Sequence, residues 1–226
     1  MFNYDWDWLV IWQYREVLLR GVLVTLALTI ISIGIGTLLG FCVGTFLSGR
    51  NPVWYAVRLV VTALVDVVRA LPLLILLFVF YFWLPYVLGI ESPLWIAILA
   101  LSINLAAFIA DVLRAAIRGV PKPLIEAAEA LGMKPNAILR RVLIPEATRH
   151  IVPTVALLYI DVLKMSSLAS VIAVNELVHK SAEISSKTFR FLEVYAALAV
   201  IYILIVLPFS FLARKLEQSP RFLRRS

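Results

Sequence analysis

Residues 126–145 read EAAEALGMKPNAILRRVLIP, a charged segment with Gly and Pro set between long apolar runs. The contrast decides the fold, because its surroundings are too apolar for water. Of the 226 residues, 62% are hydrophobic and only 15% charged, and the mean hydropathy is +0.96, which excludes an ordinary soluble domain of this length. A membrane-crossing helix needs roughly 20 mostly apolar residues, and about five stretches qualify: 19–47, 71–89, 94–113, 151–174 and 192–213. The expected fold is all-α, a polytopic membrane protein forming one domain over 1–226, its core at about 17–214 and its polar loop at about 119–147.

The net charge of +7 raises the possibility of nucleic acid, but the placement of the cations argues for membrane topology instead. Arg50, Arg58, Arg114, Arg118, Lys122, Lys134, Arg140, Arg141, Arg149, Arg214, Lys215, Arg221, Arg224 and Arg225 fall on one side of the spans. Only Arg15, Arg20, Lys180, Lys187 and Arg190 fall on the other. The positive-inside rule then puts the N-terminus outside and both the polar loop and the C-terminus in the cytoplasm. Trp6, Trp8, Trp12, Trp83, Tyr86 and Trp95 make a matching aromatic belt at the outer interface. Asp5, Asp7 and Glu16 occupy positions where a cleaved leader would carry positive charge, so the first span is expected to be retained. Cys42 is the only cysteine and reads as a small apolar core residue of that span.

Within the spans, Gly36, Gly40 and Gly44 recur every four residues beside Gly34, leaving one helical face bare enough for close helix packing, within the chain or at a subunit interface. The apolar stretch 53–89 is too long for one span, and Pro72 divides it: it lacks a backbone donor and disfavours helix at Leu71. Residues 53–70 are expected at the cytoplasmic interface or entering at a tilt. Three acid–base pairs share an i,i+3 spacing that lets each neutralise itself in a low-dielectric setting: Asp66 with Arg69, Asp111 with Arg114, and Asp161 with Lys164. The first two read as structural pairs near helix ends. Asp161 and Lys164 lie deeper, where ionisable residues mark a transport path by default. Ser166, Ser167 and Ser170 follow directly, and their hydroxyls can face a water-filled path, a neighbouring helix, or their own backbone carbonyls.

In the polar loop, Pro123 suits the first turn of a short helix whose Leu124, Ile125, Ala128 and Leu131 repeat at near-helical spacing. Gly132 supplies its C-terminal cap and Pro135 stops continuation. Asn136–Val142 add a second turn or two, and Pro145 precedes the fourth span. Two rigid helices projecting from a membrane make a lever, although an amphipathic surface helix would have the same pattern.

Glu126-Ala127-Ala128, then Gly132, then Val142, Ile144 and Pro145 resemble the EAA loop of permease subunits in ATP-driven, binding-protein-dependent importers. Val68–Leu74 resembles that family's Arg-x-x-Pro-Leu segment, Phe108–Arg114 its acid-x-x-Arg segment, and Leu163–Leu168 its Lys-Asp-Thr-Ser-Leu run. From about Gly21 to Glu217 the chain is similar to permeases of polar amino-acid ABC importers of the histidine and glutamine type. It departs from them at Asp111 for Glu, Pro123-Leu124 for Gly-Gln, Glu146 for Gln, and Met165-Ser166 for Asp-Thr.

The resemblance implies a type I ABC importer (MetI-like) transmembrane domain in the bacterial inner membrane. It also implies ATPase coupling through Glu126, Ala127, Ala128, Gly132 and Pro145, and a path past Asp161, Lys164, Ser166, Ser167 and Ser170. The implied partners are an ATPase dimer at the loop, a sister permease or second copy, a periplasmic or surface solute-binding protein, an amino-acid-like solute and membrane lipid. No GxxxxGK[ST] phosphate loop occurs, so no cofactor is expected on this chain, and ATP with Mg belongs to the ATPase. His150 and His179 are the only histidines, too few for a clustered metal or nucleophile site. The alternative is an ion-coupled secondary transporter or small channel using Asp161 and Lys164 as its coupling pair.

Overall fold

A computed structural model describes residues 4–49 and 52–217. Arg50, Arg221, Arg224 and Arg225, counted above among the inner cations, lie outside the described residues. The chain runs through α1 (Leu9–Gln13), α2 (Arg15–Leu47), a 3-10 turn at Pro52–Trp54, α3 (Tyr55–Ala70), α4 (Leu73–Leu88) and α5 (Pro93–Arg118). It continues through α6 (Lys122–Ala130), α7 (Pro135–Ile138), a π turn at Leu139–Leu143, α8 (Ile144–Met165), a 3-10 stretch at Ser166–Ile172, α9 (Leu177–Thr188) and α10 (Phe191–Glu217). Among the described residues there is no strand.

Four helical segments are long and apolar enough to cross a membrane: α2, α5, the run Pro135–Ile172, and α10 over Phe191–Lys215. The remaining expected span, 71–89, falls on α4, the second half of a sharply bent helix pair. Helices α3 and α4 meet at 111° across Leu71 and Pro72, and Leu71 is extended (φ −80°, ψ 131°), as a residue before proline must be. With 16 residues, α4 is about 24 Å long and falls short of ~30 Å of hydrocarbon by itself.

Helix α5 is the centre of the molecule, packed against α2, α3, α4 and α8. Most of its apolar side chains from Ile96 to Leu113 are buried, with Leu99, Ile103, Phe108 and Val112 half-buried. The bare face of α2 is used here, within the chain. A Cβ at Gly36 would come 2.8 Å from the Ser102 carbonyl, one at Gly40 2.7 Å from Ile109 Cβ, and one at Gly44 3.0 Å from the Ala110 carbonyl. Small residues thus let two helices approach to backbone contact where lipid offers no hydrophobic drive. A second cluster joins α1, α2, α9 and α10 through Val10, Leu18, Leu177, Ile184 and Val194.

Two expectations change. The segment between the last two expected spans, which carries Lys180, Lys187 and Arg190, is not a plain outer loop but holds α9, tied down by Glu176: the fully buried carboxylate accepts from the Val178 and His179 amides (2.9 and 2.7 Å) and caps the helix. The Leu177 amide donates to Thr25 of α2 at 3.1 Å. Second, Pro145 does not separate the loop from the fourth span. It sits in the first turn of α8, directly after the π turn, so 135–172 is one continuous helical run. Proline there cannot donate to the preceding turn and would press on its carbonyl; the wider π turn relieves that conflict without ending the helix.

Candidate coupling loop and translocation path

The loop begins where α5 ends at Arg118 and Pro121 turns the chain into α6. Gly132 ends α6 with φ +73°, a conformation that disfavours any residue with a Cβ. The Met133 amide donates to the Ala128 carbonyl (3.2 Å) and the Gly132 amide to the Glu129 carbonyl (2.9 Å). This is a Schellman closure, which fixes the direction of the chain leaving the helix. Helix α7 and the π turn then carry it straight into α8.

The four apolar residues expected on one face of α6 divide instead. Ile125 and Ala128 turn into the core shared with Ile138 and Leu143, whereas Leu124 is exposed and Leu131 is 81% exposed. Ala128 therefore packs inward within this chain. Glu126 and Ala127 remain on the exposed side with Leu131. Leu131 lies past the last helical residue, Ala130, at the C-cap, and only the side of α6 toward Ile138 and Leu143 is covered. A bare leucine beside an alanine on a polar loop is a surface that another protein can cover.

The charge pairs also rearrange. Asp111 is shared, 2.8 Å from Arg69 of α3 and 3.4 Å from Arg114 of its own helix, while Asp66 stands 4.0 Å from Arg69 and is half-exposed. Arg114 adds a hydrogen bond to Thr62 of α3 at 3.2 Å, and the Arg69 guanidinium lies 5.5 Å from the Phe108 ring centroid. Two of the three pairs predicted at i,i+3 are thus one network joining the end of α3, next to the break at Pro72, to the end of α5, next to the loop.

Asp161 and Lys164 are 3.9 Å apart on α8 and both more than half exposed. Leu157 and Met165 are exposed with them, at helical spacing on the same side. The serines choose the third of their three options. Ser166 donates to the Leu163 carbonyl, Ser167 to that of Lys164, and Ser170 to that of Ser167, each at 2.7 Å. Ser166 is fully buried and does not reach an open surface of the chain. These back-bonds accompany the tightening of the helix from α to 3-10 at Ser166.

Two acids that sequence reasoning passed over hold the other end together. Glu176 caps α9, and buried Glu193, in the first turn of α10, accepts from the Tyr4 hydroxyl (2.6 Å) and the Asp7 amide (2.9 Å). Nothing in their local sequence separates them from surface acids, apart from Glu176 standing directly before a helix.

A membrane-embedded helical bundle with a sharply bent helix pair and a short helical loop is the architecture of an importer's transmembrane subunit. The chain belongs to the binding-protein-dependent transport system inner membrane component family, whose model matches residues 32–222. It is 32% identical over 222 residues to the glutamine transport system permease protein of Escherichia coli K12, covering 97% of this chain and all of that one. It is 30% identical over 207 residues to the arginine transport system permease protein of Bacillus subtilis 168, covering 89% and 91%. Among solved structures it is similar to an amino acid ABC transporter crystallised with histidines, at a TM-score of 0.85 and 31% identity over 95% of this chain and 99% of the other. An inward-facing MetNI methionine ABC transporter aligns at a TM-score of 0.72 and 27% identity, over 90% and 98%. The protein is thus a multi-pass inner-membrane permease subunit of the ABC importer type, and these likenesses lend no support to the ion-coupled alternative.

Proposed function

We propose that α6 is the element through which a separate ATPase drives this subunit, and that the face of α8 bearing Asp161 and Lys164 lines the path for a polar amino acid or related small zwitterion. The observation that carries the reading is mechanical. Glu126, Ala127 and Leu131 are exposed on α6 and its C-cap, the Gly132 turn links α6 to α7, and α7 runs through the π turn into α8 as one helical run. A push on α6 is therefore delivered to the helix that carries the intramembrane charges. Lys164 offers a cation to a solute carboxylate, and Asp161 an anion to an ammonium. The substrate class follows the relatives, which are glutamine and arginine permeases.

In this reading ATP and Mg bind the partner, a solute-binding protein delivers cargo on the side of α9, and a second copy or a sister permease closes the path. Glu126→Lys and Leu131→Asp change exposed side chains, so folding is retained. Each is expected to cut binding-protein-stimulated ATP hydrolysis and uptake in proteoliposomes about tenfold, the effect of losing ~1.4 kcal/mol of docking. Wild-type coupling in both variants would remove α6 from the contact. Separately, unchanged uptake kinetics and substrate preference in a well-expressed Lys164→Met variant would take α8 out of the path.

A further inference from the structure

A groove of about 440 Å³ lies between α2, α8 and α10, on the side of α8 opposite Asp161 and Lys164. At ~100° per residue, Val152, Ala156, Tyr159 and Leu163 point about half a turn away from Leu157, Asp161 and Lys164. On the reading of the charged face as the transport path, the groove therefore opens away from that path, toward the surrounding bilayer. Its walls are apolar in effect as well as in composition. The two hydroxyl-bearing residues lining it are already engaged: Thr29 donates to the Thr25 carbonyl at 2.7 Å, and Tyr159 shares a hydrogen bond with Thr37 at 2.9 Å. Each hydroxyl therefore already has a partner, and the rest of the lining is aliphatic or aromatic.

Two exposed arginines stand close in sequence to residues that line one end of the groove. Ile151 and Val152 of α8 and Leu212 and Ala213 of α10 line it near the end of the molecule that carries α6, and Arg149 and Arg214 flank those residues in sequence, both exposed. Arg214 lies 5.2 Å from the Phe211 ring centroid. Among the described side chains neither arginine has a carboxylate partner; the nearby Glu146 is engaged by His150 at 3.3 Å. From Ile151 to Leu163 the wall extends about 18 Å, close to the ~15 Å depth of one leaflet's hydrocarbon.

We propose that this groove binds one acyl chain of an anionic phospholipid whose headgroup phosphate is held at its mouth by Arg149 and Arg214. An alkyl chain suits walls that are almost wholly aliphatic and aromatic, with both hydroxyls already paired. A phosphate suits two exposed guanidiniums at membrane-surface depth. The lipid then fills the seam between α8 and α10, bracing α8, which continues into the loop.

The test is native mass spectrometry of the assembled permease–ATPase complex, delipidated and titrated with phosphatidylglycerol or with phosphatidylcholine of the same chain length. Phosphatidylglycerol should be retained more tightly, by about fivefold for each cation that contributes. Arg149→Gln with Arg214→Gln should bring it down to the phosphatidylcholine level, and Ala156→Phe, which fills the groove, should weaken both lipids. Lys164→Met should leave retention unchanged, so failure of the path reading and failure of the lipid site are separable. Equal retention of the two lipids, or retention indifferent to both arginines, would overturn the proposal. So would crosslinking of an Ala156→Cys groove to a second permease copy. Should Ala156→Phe not assemble, the arginine variants decide alone, because both side chains lie on the surface.

Discussion

At the scale of single residues, Asp111 governs more than its sequence neighbourhood suggests. It holds Arg69 at 2.8 Å and Arg114 at 3.4 Å, and the three side chains are between 16 and 33% exposed. Asp111→Asn would leave two partly buried guanidiniums facing each other without a counter-charge. A fully buried pair broken this way costs about 3–5 kcal/mol and an exposed one below about 1, so about 1–3 kcal/mol is expected here. A clearly lowered unfolding temperature of the detergent-solubilised complex would register it. Arg69→Met in the Asp111→Asn background should recover part of the loss, since one unpaired charge is then gone. An unshifted melting temperature in Asp111→Asn would mean that the network contributes nothing. The residue scale also shows how spacing misleads: i,i+3 geometry correctly marks Asp111 and Arg114 as neighbours, but the shorter contact comes from another helix.

At the scale of elements, α9 is the one with a readable pH dependence. Glu183 accepts from Lys180 at 2.9 Å and from Lys187 at 2.7 Å, and these hydrogen bonds, followed by the two positive charges, hold its carboxyl down from 4.5 to about 2. A depressed acid binds protons less well in the folded state than in the unfolded one. Its contribution is therefore complete above about pH 4.5 and is lost as pH falls toward about 2. Because Glu183 is 37% exposed, the effect is local and modest. Hydrogen exchange of the α9 amides should be flat between neutral pH and about 5 after correction for intrinsic rates, then quicken on further acidification. Glu183→Gln should abolish that dependence. A wild-type profile with no acid limb would show that the lysines do not brace this helix. The cap from Glu176 and the closure at Gly132 follow the same logic at other ends: a helix of nine or twelve residues is marginal by itself and must be fixed at its termini.

For the whole molecule the open question is sidedness, which charge asymmetry predicts and an accessibility experiment can decide. With the exposed Cys42 replaced by serine, Lys187→Cys on α9 should react with a membrane-impermeant maleimide on intact cells. Glu129→Cys on α6 should react only after permeabilisation. The reverse pattern would invert the topology and place the loop outside. Both positions are exposed in the chain.

Read alone, the residues are enough for the membrane class, the approximate spans, the break at Pro72, the bare face of α2 and the turn at Gly132. Each depends on hydropathy, on the missing proline donor or on a glycine's freedom, and these act over a few neighbouring residues. Only the tertiary structure decided that Arg69 reaches across to Asp111, that Ala128 turns inward while Leu131 does not, that Ser166 is buried, and that 175–190 folds as a helix on α2. Those outcomes depend on how far each helix is rotated and slid against its neighbours. That is set by packing α5 against α2, α3, α4 and α8 at once, and no local spacing encodes it.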